Sequence, residues 1–174
     1  MRMIAEMSRL HAALVLSALG CAMLAAALAF QHIGDLAPCA LCIDQRKAWG
    51  AAIVLSTLAL AAEGRSRIAV ALALLGLAGL AALVGAGVAA FHVGVEEKWW
   101  SGTAACGGGF AGFGTGGVAD TREQLLARPV VRCDEVAWSL GGISMAGWNG
   151  LVSLLAGLGA LAIVWRDGRR IMKA

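Results

Sequence analysis

Apolar residues fall into four long runs along the chain, at about residues 12 to 30, 42 to 62, 68 to 91 and 146 to 165, with turn residues and charges confined to the gaps. No run shows the ten-residue alternation of a barrel strand, so each predicts a helix. At 1.5 Å per residue, about 20 residues cross a hydrocarbon layer about 30 Å thick. Inside that layer a backbone without water must satisfy its own hydrogen bonds, which a helix does. The pattern predicts an all-α integral membrane protein: one membrane domain over residues 1–174, a four-transmembrane-helix bundle with loops at about 31–41 and 92–145, the long loop lying between helices 3 and 4.

Composition sharpens the class. The chain is 60% hydrophobic and 14% charged, with a mean hydropathy of +0.79, and it carries no nucleic-acid signature. Arg2, Arg9 and the Ala27-Leu28-Ala29 triplet resemble parts of a signal peptide, but a 19-residue apolar run exceeds the usual core of about 7 to 15. It reads as an uncleaved first helix. Eight cations against three acids flank one side of the four runs, and six against eight lie on the other. The positive-inside rule then places both termini in the cytoplasm and both other loops on the outer side of the membrane.

That topology sorts the cysteines. Cys39, Cys42, Cys106 and Cys133 fall on the outer side, where an oxidising compartment turns pairs into disulfides. Cys21 lies in mid-helix and reads as a small, inert packing residue. Two structural staples are one reading: closing the loop from Cys106 to Cys133 contributes about 3 to 4 kcal/mol in the chain-entropy account. A zinc site fits poorly with a second pair 27 positions apart, and no metal is expected. Cys39 and Cys42 close too small a ring to add much by entropy, which suits switching better than stapling. Pro38 is expected at an early helical position, putting both sulfurs around the first turn of the second helix, where the dipole favours a thiolate. Arg46, four residues past Cys42, shares its face.

The length of that helix locates Arg46 in depth. Residues 48–62 are too few to cross the hydrocarbon, whereas counting back to Cys42 gives 21, so Arg46 and Lys47 sit at or just inside the outer boundary, where a cation is costly and usually functional. Snorkelling to the headgroups accounts for Lys47 and competes as an explanation of Arg46. A cation beside a thiolate, at the depth where lipid-soluble molecules arrive, points to a quinone acceptor. Cys42 is expected to face it, and Cys39 to face water and the other pair.

These residues resemble the disulfide bond formation protein B (DsbB) family over nearly the whole chain. The resemblance rests on "FQHIGDLAPCALCIDQR", on the "FH" closing the third helix, on "RCDEVAWSLGGISMAGWNG" leading into the fourth, and on Cys106 and Cys133 in the long loop. It implies a bacterial inner-membrane enzyme that reoxidises a periplasmic thioredoxin-fold (DsbA-like) dithiol oxidant with ubiquinone or menaquinone. By the same resemblance, Cys106 forms the mixed disulfide with that partner, Cys133 exchanges with Cys39, Cys42 meets the quinone, and Arg46 and His92 lie beside it. The chain departs from relatives that carry Glu before the Arg, having Gln45, and its long loop is unusually rich in glycine. A monomer is expected.

Seven of the eleven residues 107–117 are glycine, which predicts a flexible linker past Cys106, with Phe110 and Phe113 available to dip into the interface or dock a partner. Residues 120–129 predict a short helix capped by Asp120 and stopped by Pro129. Trp99, Trp100 and Trp148 are expected as interfacial anchors, and Gly76, Gly79, Gly85 and Gly87 as close-packing positions. Competing functions are a vitamin K epoxide reductase-like quinone reductase, a haem carrier using His32 and His92, and a non-enzymatic scaffold with two staples.

Overall fold

A computed structural model of the protein describes residues 2–65, 67–107 and 131–172. The expected linker past Gly107, Phe110, Phe113 and the helix expected at 120–129 lie outside the described residues. Four long helices dominate: α1 (Arg2–His32), α2 (Ala40–Glu63), α3 (Ile68–Glu96) and α4 (Met145–Ile171). α2 packs on α3 and α3 on α4, and α1 closes the ring against α2 and, less extensively, α4. A two-residue hairpin precedes α4, pairing Ser139 with Ser144 and Leu140 with Ile143. Its turn needs left-handed backbone at both central positions, supplied by Gly141 and Gly142 with φ of 61° and 78°.

Helix direction follows from which ends meet. Arg9 near the start of α1 bonds Glu63 at the end of α2 and Asp167 near the end of α4. At the far end, Gln31 of α1 meets Arg46 of α2, and Asn149 of α4 meets Gln45. Successive helices therefore alternate in direction, and α1 starts where α4 finishes. The sequence reading counted Arg9, Glu63 and Asp167 only among the charges flanking one side of the bundle; all three are buried, and Arg166 also reaches Asp167 at 2.9 Å. A charge taken from water needs a partner within reach, and these three supply one another.

Residues 7–32 of α1, all of α3 and all of α4 are long and apolar enough to cross a membrane. α2 has the length, at 24 residues, but its first turns carry Asp44, Gln45, Arg46 and Lys47, so it does not reach the same apolarity. It also begins outside the expected bounds. Cys39, with extended backbone, is the N-cap, and its sulfur accepts the Cys42 N–H at 3.2 Å. Pro38 consequently precedes the helix instead of lying within it.

Small residues set the helix spacing. The mid-bundle core joins Leu16, Trp49 and Leu75 to Ala52, Ala59 and Ala78. A Cβ at Gly79 would lie 3.1 Å from the Ala160 Cβ and 3.2 Å from the Gly157 carbonyl, and one at Gly85 would lie 3.1 Å from the Ala48 Cβ. Gly76 and Gly87 do not share that role: the nearest atom to a Cβ at Gly76 is 3.8 Å away, and none lies within 4 Å at Gly87. Gly79→Val is accordingly expected to lower stability by about 1–3 kcal/mol and Gly87→Ala to leave it equal or higher, as read by thermal unfolding in detergent.

One further expectation changes. Cys21 is exposed on the outside of the bundle, because the neighbouring Gly20 faces Ile53 and Trp49 of α2 and one residue on turns the side chain away. Trp100, still 45% exposed, folds back on α3. Its ring stacks on Phe91 with centroids 5.7 Å apart, and its Nε1 donates to the Phe91 carbonyl at 3.0 Å. The ring covers Gly94, where no side chain fits.

Candidate active site

The site is assembled where α2 begins. Because Cys39 caps the helix, its sulfur turns inward over the first turn and lies 2.6 Å from the Cys42 sulfur. Cys39 is 5% exposed, so the expected contact with water is absent. It packs instead with Val95, Cys106 and Cys133. Cys106 and Cys133 are joined as a disulfide; Cys39 and Cys42 stand as thiols. The close Cys42 sulfur and, after it, burial push the Cys39 thiol above its ordinary range.

Arg46 lies one turn beyond Cys42 and is pinned to α1. Its guanidinium donates to the Gln31 side-chain carbonyl and to the Ala27 backbone carbonyl at 3.1 Å. Lys47 instead points out and pairs with Asp44 at 2.8 Å, in keeping with a solvated cation. Arg46 and Cys42 face a cavity of about 340 Å³, whose apolar wall includes Met23, Leu24, Phe30 and Trp138. Phe30 and Trp138 meet with ring centroids 5.0 Å apart, bringing the segment after Cys133 against the end of α1. Apolar walls with a few converging polar groups are the usual form of a small-molecule site.

His92, on α3, closes the inner side. Its Nδ1 lies 3.0 Å from the Gln45 amide nitrogen, and its Nε2 lies 3.6 Å from the Cys39 sulfur and 3.9 Å from the Glu96 carboxylate. Glu96 in turn accepts from the hydroxyl of Ser144, the N-cap of α4. Both imidazole nitrogens are thus occupied by protein, and His32 is exposed at the end of α1. That arrangement does not provide the paired histidines of a haem site.

The model of the family described as disulfide bond formation protein DsbB matches residues 8–163. This chain belongs to the DsbB family. Among similar proteins are disulfide bond formation protein B of Verminephrobacter eiseniae, 37% identical over 90% of this chain and 86% of the relative, and that of Methylococcus capsulatus, 36% identical over 86% and 89%. Disulfide bond formation protein B 2 of Pseudomonas aeruginosa is 38% identical over 75% of each chain. No solved structure matches the chain.

Within this DsbB-family chain, the six residues singled out from sequence gather at one end of the bundle. Cys42, Arg46 and His92 line the apolar cavity, Cys39 lies between them and the disulfide, and Cys106 borders a second hollow with Lys98, Arg132 and Asp134. There Arg132 holds the Asp134 carboxyl down at about 2 through a two-pronged hydrogen bond. Sequence reasoning missed Glu96, Trp49 and Asn149, and treated Gln45 only as a departure from the family. The signal was available in Asn149, an amide inside an apolar run, because a polar side chain at that depth must find a partner.

Proposed function

We propose that this protein is a quinone-dependent dithiol oxidase of the inner membrane, reoxidising a periplasmic thioredoxin-fold partner of the DsbA type. All four helices span the bilayer in this reading, with both termini cytoplasmic and the sulfurs at the periplasmic end. The carrying observation is the position of Cys39 and Cys42, which touch the Cys106–Cys133 disulfide on one side and the apolar cavity with its fixed arginine on the other.

The chemistry balances as two electrons and two protons per cycle. A thiolate of the reduced partner attacks the Cys106–Cys133 bond, and a second exchange releases the partner's disulfide and leaves two thiols. Cys106 and Cys133 pass their electrons to an oxidised Cys39–Cys42 pair by the same exchange. The reduced pair then gives two electrons to quinone, which takes up two protons to become quinol while the Cys39–Cys42 disulfide forms again. A thiolate attacks and leaves well, and the Arg46 guanidinium stabilises negative charge developing on a quinone oxygen. Held by Gln31 and Ala27, Arg46 needs no reorganisation as that charge appears.

The test is quinone reduction by purified protein supplied with a reduced thioredoxin-fold protein. Turnover is expected only with both substrates present. Arg46→Ala is expected to raise the quinone KM roughly tenfold or more, the worth of a lost hydrogen bond to a charged group, while exchange with the soluble partner stays near the wild-type rate. Failure of the wild-type protein to reduce any quinone would overturn the reading.

A further inference from the structure

The polar groups behind the sulfur pair form a continuous line through the otherwise apolar centre of the bundle. Trp49 Nε1 donates to Asn149 Oδ1 at 2.7 Å. Asn149 Nδ2 donates to Gln45 Oε1 at 2.6 Å, and Gln45 Nε2 lies 3.0 Å from His92 Nδ1. All four residues are buried, so each polar atom depends on its neighbour for satisfaction.

We propose that Trp49, Asn149 and Gln45 form a one-way hydrogen-bond relay that locks the His92 proton on Nε2, directed at the Cys39 sulfur. The proposal rests on the dithiol-oxidase reading only for its use; the geometry behind it stands on its own.

Direction comes from the first member. An indole nitrogen is a donor with no accepting ability, so Asn149 must turn its oxygen to Trp49 and its NH2 to Gln45. Gln45 must then present its oxygen to Asn149 and its NH2 to His92. An NH2 facing Nδ1 requires a lone pair there, which leaves the proton of a neutral imidazole on Nε2. The surroundings of Nε2 agree with that outcome, since they are acceptors: the Cys39 sulfur at 3.6 Å and the Glu96 carboxylate at 3.9 Å. The Cys39 sulfur then accepts from the His92 N–H and from the Cys42 backbone N–H, and these two donors offset part of the cost that burial places on negative charge there during exchange.

The relay makes two acid-for-amide variants informative. Gln45→Glu presents only acceptors, so Nδ1 must carry a proton to meet it. Asn149→Asp does the same one step back: it turns the Gln45 NH2 toward Asp and the Gln45 oxygen toward His92. Trp49→Phe removes the fixed donor without adding charge and frees both directions.

The experiment uses full-length protein carrying 15N-labelled histidine, reduced and held in detergent micelles near neutral pH, with the His92 signals assigned by their loss in His92→Phe. Wild type is expected to show a pyridine-type shift at Nδ1 and a pyrrole-type shift at Nε2. The pyrrole-type shift moves to Nδ1 in Gln45→Glu and Asn149→Asp, and the two nitrogens average in Trp49→Phe. A wild-type proton on Nδ1, or unchanged shifts in Gln45→Glu, would each overturn the lock. No quinone enters the measurement, so absent turnover with the expected shifts would sink the oxidase reading and leave the relay standing.

Discussion

Cys42→Ser protein, given quinone and a reduced thioredoxin-fold partner, is expected to lose quinone reduction by a factor on the order of 10³ or more, the scale seen when a nucleophile is removed. A serine hydroxyl cannot form the sulfur–sulfur bond in which the Cys39–Cys42 pair carries its oxidising equivalents. The change is small in volume, and Cys42 is only half-buried, so the fold should persist: the same protein is expected to keep the Cys106–Cys133 disulfide and a wild-type unfolding temperature. That combination separates a working redox pair from a structural staple. A staple would give the opposite result, with lost stability and no turnover to lose. Undiminished quinone reduction in Cys42→Ser would dispose of the proposed electron route, since Cys39, the other cysteine lining the cavity that holds Arg46, would have no partner with which to form the disulfide.

The second large effect lies at the opposite end of the bundle. Arg9→Leu leaves Glu63 and Asp167 buried together without the cation both of them bond. Removing one member of a buried ion cluster typically costs about 3–5 kcal/mol, because the remaining charge is left uncompensated. Unfolding of Arg9→Leu in detergent is therefore expected at a markedly lower temperature or denaturant concentration than wild type. The triple replacement Arg9→Leu, Glu63→Leu, Asp167→Leu should recover most of the loss, since apolar residues of similar volume often substitute for a buried ion set at little cost. An Arg9→Leu protein as stable as wild type would show that Arg166, which also reaches Asp167, is enough to hold the end together.

The sequence disclosed those parts of the site that announce themselves by residue type and depth. Cys39 and Cys42 are spaced by a helical turn, Arg46 follows at a level where a cation needs a reason, and His92 ends an apolar run. The helices were equally legible, since nothing but a helix satisfies such a backbone in lipid. Partnerships across the bundle were not. Arg9 and Asp167 are 158 positions apart and Trp49 and Asn149 are 100 apart, so pairing them requires knowing which faces meet. α3 is apolar on nearly every side and displays no stripe from which a buried face can be read. For that reason Gly79 and Gly87 looked equivalent, although only Gly79 lies against a neighbouring backbone. Cys39 was misjudged for a related cause. Its nearness to the helix start suggested exposure, whereas the returning segment around Cys133 covers it.

The shared location of the start of α1 and the finish of α4, with every described site sulfur at the far end, has a practical side. A tether attached at either tail leaves the dithiol mouth unobstructed, so molecules grafted to a bead or electrode by that tail would form a layer with their reactive ends toward the bathing solution.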